Sequence, residues 1–284
     1  MASVQDVLNI TDYFLNDYGA YTSNSVTADA SGATTFGVGS PIAYQSETVA
    51  VNGAAKTRTT HYNVNSDTGE VTFTSGNVPS NGQVVVITAT VKKFPFSTKL
   101  AGIKAALSKY YYITHDTTFS LTGSTQSIDI SSASIYEVID VELDISTNGE
   151  YFKGHKGWRT NTRLNPTTIW VNSKYSTAYP VRLKVKKKYS TALTTPASTI
   201  DANFPSEYAC QEVLGLWAAY VCATGARVSR VLSKDYPSAI NENIARASDY
   251  RTLANDIFAT FKTAEAENMH LLKPPYRARA RVVG

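Results

Sequence analysis

The side chains best suited to bind metals or act as nucleophiles are scattered along this chain. Its four histidines lie in different segments, without the spacing of metal ligands: His61, His115, His155 and His270. Cys210 and Cys222 are twelve positions apart in a segment predicted to be one helix, so about 18 Å separates them. That distance excludes a disulfide between them. We therefore expect no metal, no cofactor and two free buried thiols, which fit assembly in a reducing compartment.

Carboxylates are concentrated on one predicted strand that contains Glu137, Asp140, Glu142 and Asp144. Alternation places the last three on one face, where we expect them to be solvated or to meet basic partners such as the lysine-rich strand described next. No phosphate-binding glycine loop, nucleophile elbow or His-Glu-x-x-His run occurs. The sequence therefore predicts a protein that is not an enzyme.

A second predicted strand, residues 181–189, alternates apolar residues with a row of cations: Arg182, Lys184, Lys186 and Lys188. This row fits a charged edge strand that guards against aggregation. It also fits a face directed at passing DNA or at an acidic subunit. Trp158 and Trp170 are candidates for stacking on sugars, although aromatic residues in short strands are more often part of the core.

Two long C-terminal helices are predicted to organise the fold. The first follows Phe204-Pro205-Ser206-Glu207 and carries a large apolar stripe and a second stripe of small residues that includes Gly215, Ala219, Cys222 and Ala226. Two buried faces require two neighbours, which are either helices of this chain or one helix and a second copy. The second helix follows a break near Pro237 and has a single apolar stripe, which predicts that it lies on the surface of the core.

A basic tail follows the last helix. Consecutive prolines end the helix, and arginines then alternate with small or apolar residues, which favours an extended arm. The residues that would dock this arm on a partner are Lys273, Pro274, Pro275, Tyr276, Arg277, Arg279 and Arg281. A disordered tail is the alternative. The formal net charge is +4, and the tail alone carries four cations, so the body is close to neutral and does not resemble a protein that coats nucleic acid.

The order of elements predicts an α+β fold: a helical bundle core, an antiparallel strand domain, an inserted small β-module and an extended C-terminal arm. We divide it into an N-terminal helix (1–20), a β-module with its polar linker (21–94), a core of one helix, strands and the two long helices (95–272) and the arm (273–284). The first helix is expected to start at a capping box, Ser3-Val4-Gln5-Asp6, and to end at Gly19, and the small, polar residues 22–40 are expected to be the linker. Within the module we expect strands at 48–51, 62–64, 71–74 and 84–91, with turns at Asn52-Gly53, Thr68-Gly69 and Asn81-Gly82. The N-terminus has no secretory signal pattern, and no apolar run reaches the length of a membrane span.

This order resembles the head–tail adaptor (connector, or head-completion) proteins of tailed bacteriophages. The resemblance rests on short motifs outside residues 21–94, which depart from the family: Val4-Gln5-Asp6-Val7-Leu8, Gly157-Trp158-Arg159, Phe204-Pro205-Ser206-Glu207-Tyr208 and Leu271-Leu272-Lys273-Pro274-Pro275. It implies a helical bundle that assembles into a dodecameric ring beneath the portal protein, with residues 273–284 as the portal-docking arm. It also implies a tail, nozzle or stopper protein as a second partner, and transient non-specific contact with the genomic DNA that passes through.

The expected location is therefore the neck of the virion, after assembly in the host cytoplasm. The inserted β-module (residues 47–93 in particular) would contact fibres or capsid, or act as a spacer. The alternative from another class is a glycan-binding or tail-fibre-attachment protein of the virion, in which the two sets of strands carry the binding site.

Overall fold

The computed structural model describes residues 2–121, 127–144, 152–172, 179–232 and 240–273, with backbone alone at 227–232 and 240–247. The chain forms two compact units. The first comprises residues up to Ala106, Ala192–Ile200 and Ser206–Ala266. The second comprises the described parts of Leu107–Thr191, Asp201–Pro205 and Glu267–Gly284.

The predicted helical bundle core is wrong, although the fold is α+β. Four antiparallel sheets dominate the described residues, beside four α-helices. The long periodic stripes of the C-terminal helices gave the stronger sequence signal. The short strands nevertheless enclose two cores of their own, because each contributes alternate side chains to a shared interior.

Helix α1 (Val4–Leu15) begins at a capping box, as its sequence predicts. The Ser3 hydroxyl accepts from the Asp6 N–H at 3.2 Å, and the Asp6 carboxylate accepts from the Ser3 N–H at 2.9 Å. The helix ends at Leu15, where Asn16 adopts the left-handed conformation. Gly19, which we expected to end the helix, instead leads into the first strand.

Helix α3 (Tyr208–Leu232) is mostly buried between Val213 and Ala223, with only Trp217, Tyr220 and Val221 half-buried, because other helices of the first unit pack against it. Helix α2 (Phe96–Lys109) approaches it so closely that a Cβ on Gly102 would lie 2.7 Å from Ala218 Cα. Helix α4 (Ile240–Leu272) contacts it through aromatic rings, with the Trp217 and Phe261 centroids 5.0 Å apart. The predicted break between α3 and α4, near Pro237, lies outside the described residues.

The β-module of the first unit consists of two antiparallel sheets. One has the order β1-β7-β3-β4 and the other β2-β6-β5. Their ranges are β1 Ala20–Thr27, β2 Thr35–Gly37, β3 Thr48–Val51, β4 Ala54–Lys56, β5 Tyr62–Asn65, β6 Glu70–Phe73 and β7 Val84–Val91. Asn52 and Gly53 both have positive φ at the predicted β3–β4 turn. The polar segment 22–40, which we expected to be a linker, contains β1 and β2.

A buried ion cluster joins the module to the helices, and its members are Asp12, Asp17, Lys92 and Lys99. The Lys99 ammonium lies 2.5 Å from Asp12 and 2.6 Å from Asp17, and the Lys92 ammonium lies 2.7 Å from Asp12. The Asp17 carboxylate also accepts from the N–H of Lys93 at 2.7 Å and of Phe94 at 3.3 Å. The end of α1, the exit of β7 and the start of α2 are therefore fixed to one another.

The second unit contains two further antiparallel sheets, with the orders β11-β10-β14-β8 and β12-β13-β9. Their ranges are β8 Tyr111–Leu121, β9 Ser127–Asp129, β10 Ile135–Asp144, β11 Phe152–Gly154, β12 Trp158–Thr160, β13 Thr168–Val171 and β14 Tyr179–Lys188. The apolar faces of both sheets form one core, to which β14 contributes Val181, Leu183 and Val185, all fully buried. The opposite face of β14 carries the cations.

Candidate functional site

The row of cations lies on a central strand. Strand β14 pairs with β10 on one side and with β8 on the other, both antiparallel. The interpretation of this row as a charged edge strand is therefore wrong. The cations lie between two strands that supply carboxylates and aromatic rings.

The carboxylates of β10 pair with these cations across the sheet. Arg182 lies 2.5 Å from Glu142, and Lys186 lies 2.6 Å from Glu137. Asp140 is the register partner of Lys184. Because a register shift falls between Val138 and Asp140, Glu137 joins the face of Asp140 and Glu142, which simple alternation does not predict.

Aromatic rings cover the same cations. The Arg182 guanidinium lies 4.5 Å from the centroid of Phe152, and the Lys186 ammonium lies 4.9 Å from that of Tyr111. Lys188 lies 4.5 Å from the centroid of Tyr136 and donates to the Ser108 carbonyl at 2.8 Å. Burial, with a smaller contribution from nearby Lys273, lowers the pKa of Lys188.

This face is therefore an internally neutralised ladder, which we call the β10–β14 ion-pair face: Glu137, Asp140, Glu142, Arg182, Lys184, Lys186 and Lys188. Its side chains are half-buried. A cation that already faces a carboxylate at 2.5–2.6 Å has little free charge for a phosphate.

The other residues that we considered for chemistry do not come together in one site within the part of the chain that the structure describes. Asp144 is fully buried, so of the two expectations for this face, solvation or contact with basic partners, solvation is wrong for Asp144. Trp158 packs against the core of the second unit, and Arg159 lies 5.5 Å from the centroid of Trp170. Among the described residues, no three His, Cys, Asp or Glu side chains come together in a group that could hold a metal ion.

The small-residue stripe of α3 lies against other helices of the same chain. A Cβ on Gly215 would lie 2.6 Å from Ile10 Cγ2 of α1. Ala219 and Cys222 are buried, whereas Ala226 is half-buried. Burial raises the pKa of Cys222 to about 12 and, with a contribution from Glu207, that of Cys210 to about 11. Both thiols are therefore protonated at neutral pH.

The beginning of the predicted arm is described as far as Lys273. Its N–H donates to the Met269 carbonyl at 2.8 Å, and its ammonium lies 5.3 Å from the centroid of Tyr110. These contacts hold the start of the arm on the second unit. The remaining predicted docking residues lie outside the described residues: Pro274, Pro275, Tyr276, Arg277, Arg279 and Arg281.

Sequence reasoning missed a tyrosine-lined cavity in the first unit. The cavity has a volume of about 570 Å³, and its aromatic lining residues are Tyr13, Tyr18 and Tyr208, each more than 60% exposed. Asp6 and Gln211 add polar groups. The high tyrosine content was the available signal, but only the fold brings α1 and the start of α3 together. Such aromatic, hydrogen-bonding surfaces are enriched at protein interfaces.

Comparison with known proteins does not assign the chain to a family. No protein-family model matches it, and no curated protein matches it. None of the helices in the described part of the chain combines the length and the apolar character needed to cross a membrane.

Proposed function

We propose that this protein is a structural head–tail adaptor of a tailed bacteriophage. It would form a dodecameric ring that joins the portal to the tail and lines the channel through which DNA passes. The observation that carries the proposal is the order of elements. A capped N-terminal helix, a second helix, antiparallel strands, a buried helix and a long helix that ends at Leu272 follow the order of the resemblance.

In the proposed assembly, each end of the ring binds a different partner protein. Residues 273–284 dock on the portal, and the first of them, Lys273, contacts Tyr110 of the second unit. A tail, nozzle or stopper protein binds the opposite side of the ring. The β-module faces fibres or capsid, and the assembled protein resides in the neck of the virion.

The charge pairing on the β10–β14 ion-pair face supports a role as a channel lining past which DNA moves, rather than as a DNA-binding site. Each unpaired cation that meets a phosphate releases a counterion and strengthens non-specific binding. A channel that held the genome tightly would oppose ejection. Pairing of Arg182 with Glu142 and of Lys186 with Glu137 keeps the face close to neutral, so contact with DNA stays transient.

Light scattering of the purified chain, alone and mixed with the portal protein of the same genome, tests this proposal. We expect a mass that reaches ring size when the portal is present. Truncation after Leu272 should abolish the association while the far-UV circular dichroism spectrum is unchanged. The matched control removes four exposed cations elsewhere, as many as the truncation does, in the variant Lys153→Ala/Lys156→Ala/Arg163→Ala/Arg251→Ala, and should still bind.

Two results would contradict the proposal. The first is a chain that ignores the portal at every concentration. The second is a trimer that binds cell-surface glycan and loses this binding when Trp170 is replaced by alanine, which would favour the attachment-protein alternative. Equal loss of portal binding in the control variant would assign the effect to net charge rather than to the arm.

A further inference from the structure

Strand β1 forms an unprotected edge of its sheet. Its eight residues pair in continuous register with β7, from Ala20 opposite Val91 to Thr27 opposite Val84. Among the described residues no strand pairs with its other side. Alternate backbone N–H and C=O groups of β1 therefore point outward along about 26 Å of strand.

The side chains of β1 do nothing to block this edge. The strand contains no charge, no proline and no bulge, which are the devices that usually protect an exposed edge. It is exposed along most of its length, and Tyr21 is 77% exposed. An uncharged, regular edge of this length is a template for pairing with another strand.

The opposite edge of the same sheet is β4. It pairs only with β3 among the described strands, and Ala54 and Ala55 are exposed. Their methyl side chains leave room for an approaching backbone. Because every neighbouring pair in the order β1-β7-β3-β4 is antiparallel, β1 and β4 run in opposite directions.

We infer that β1 of one copy pairs antiparallel with β4 of the next copy, so that the sheet continues from subunit to subunit. The occupant is a second copy because the two open edges belong to one sheet and have the directions that an antiparallel pair requires. Strand β4 has three residues and β1 has eight, so the pairing covers part of β1 and leaves the rest of its edge exposed.

A contact between two different surfaces of one chain is head-to-tail, and it generates either a closed ring or an open filament. Closure into a ring of twelve rests on the proposed function, whereas the strand pairing itself does not. The module thereby becomes a subunit contact in addition to a surface for fibres or capsid.

Cysteine cross-linking tests the pairing directly. The variants Ser23→Cys and Ala55→Cys are purified separately, mixed and oxidised, alone at high protein concentration and on the portal. The native thiols do not interfere because Cys210 and Cys222 are buried. We expect a covalent dimer in the mixture and none with either variant by itself.

A charge variant gives an independent measurement. Ser23→Lys places an ammonium on the β1 edge and should lower the oligomer mass measured by light scattering at least twofold. The matched control is Thr72→Lys on β6, which is a central strand, and it should leave the mass unchanged.

The outcomes separate this inference from the proposed function. Dimers with Ser23→Cys alone would indicate β1–β1 pairing and overturn the inference. Ring-sized complexes with the portal that show no cross-link in the mixture would also overturn it and leave the adaptor proposal intact. A cross-link without portal binding would support the strand pairing and refute the adaptor.

Discussion

Replacing Lys99 with methionine tests the buried ion cluster, since methionine keeps an unbranched side chain only one atom shorter and removes the charge. The Lys99 side chain is 4% exposed and contacts two carboxylates, one of which, Asp17, is fully buried. Removing one partner of a buried ion pair costs about 3–5 kcal/mol, because the remaining charge is uncompensated. Asp17 keeps two backbone N–H donors and Asp12 keeps Lys92, so we expect the lower end, about 3 kcal/mol.

The assay is urea unfolding of the first unit. The two compact units can unfold separately, so the measurement needs a local probe. Trp217 lies in the first unit and the other two tryptophans lie in the second, so the background Trp158→Phe/Trp170→Phe leaves Trp217 as the reporter. With a slope of about 2 kcal/mol per molar urea, a loss of 3 kcal/mol lowers the midpoint by about 1.5 M.

The control is the ion pair Lys262–Glu265, in which the glutamate is buried but the lysine side chain is 55% exposed, so water still reaches the charge that is removed. Lys262→Met should cost no more than about 1 kcal/mol, or about 0.5 M in midpoint. Adding Asp17→Asn to Lys99→Met should restore part of the loss, because it removes the uncompensated charge. A Lys99→Met midpoint within about 0.5 M of the parent would refute the reasoning.

Three further predictions concern packing, thiol chemistry and charge. Gly215→Ala should lower the stability of the first unit by about 1–3 kcal/mol because of the contact with α1. Gly225→Ala should raise it by up to about 1 kcal/mol, since no described atom lies within 4 Å of a Cβ at this position. Thermal unfolding measures both changes. Cys222 should resist a thiol reagent in the native state at pH 8 and react after denaturation. The folded thiol holds its proton above the ordinary pKa of 9.0, so its contribution to stability is complete below pH 9 and is lost as pH rises toward about 12, which pH-dependent unfolding measures. Glu137→Gln/Glu142→Gln should strengthen non-specific binding to duplex DNA and steepen its salt dependence, as measured by fluorescence anisotropy.

Each of these predictions has a result that contradicts it. Equal stability of the two glycine variants would show that α1 can move away from α3 at no cost. Rapid labelling of Cys222 in the native state would show that α3 is not enclosed. Unchanged DNA affinity of the double glutamine variant would mean that the cations are kept from DNA by something other than their carboxylate partners.

The helices could be predicted from the sequence because their signals are local. A stripe repeated over 25 residues in α3 and 33 residues in α4 outweighs any single exception, and the capping box at Ser3 marks the start of α1 without reference to the rest of the chain. The strands β3, β5, β6 and β7 were predicted on similar grounds, from alternation and Asn-Gly or Thr-Gly turns.

The remaining features depend on partners distant in sequence. Strand β1 is rich in Ser, Thr and Asn and becomes a strand because β7 pairs with it. The central position of β14 depends on β8 and β10, which its own residues do not specify. The register shift after Val138 moves Glu137 to the other face, and strict alternation contains no sign of it.

The entry and exit of the β-module lie side by side, because Ala20 is the register partner of Val91. Their Cα atoms are therefore about 5 Å apart, the spacing of neighbouring strands. A gene that lost the codons between them could be rejoined through a very short loop, with α1 and α2 left in place. The module is thus a unit that can be deleted or exchanged in one piece while the two helices that flank it in sequence keep their positions.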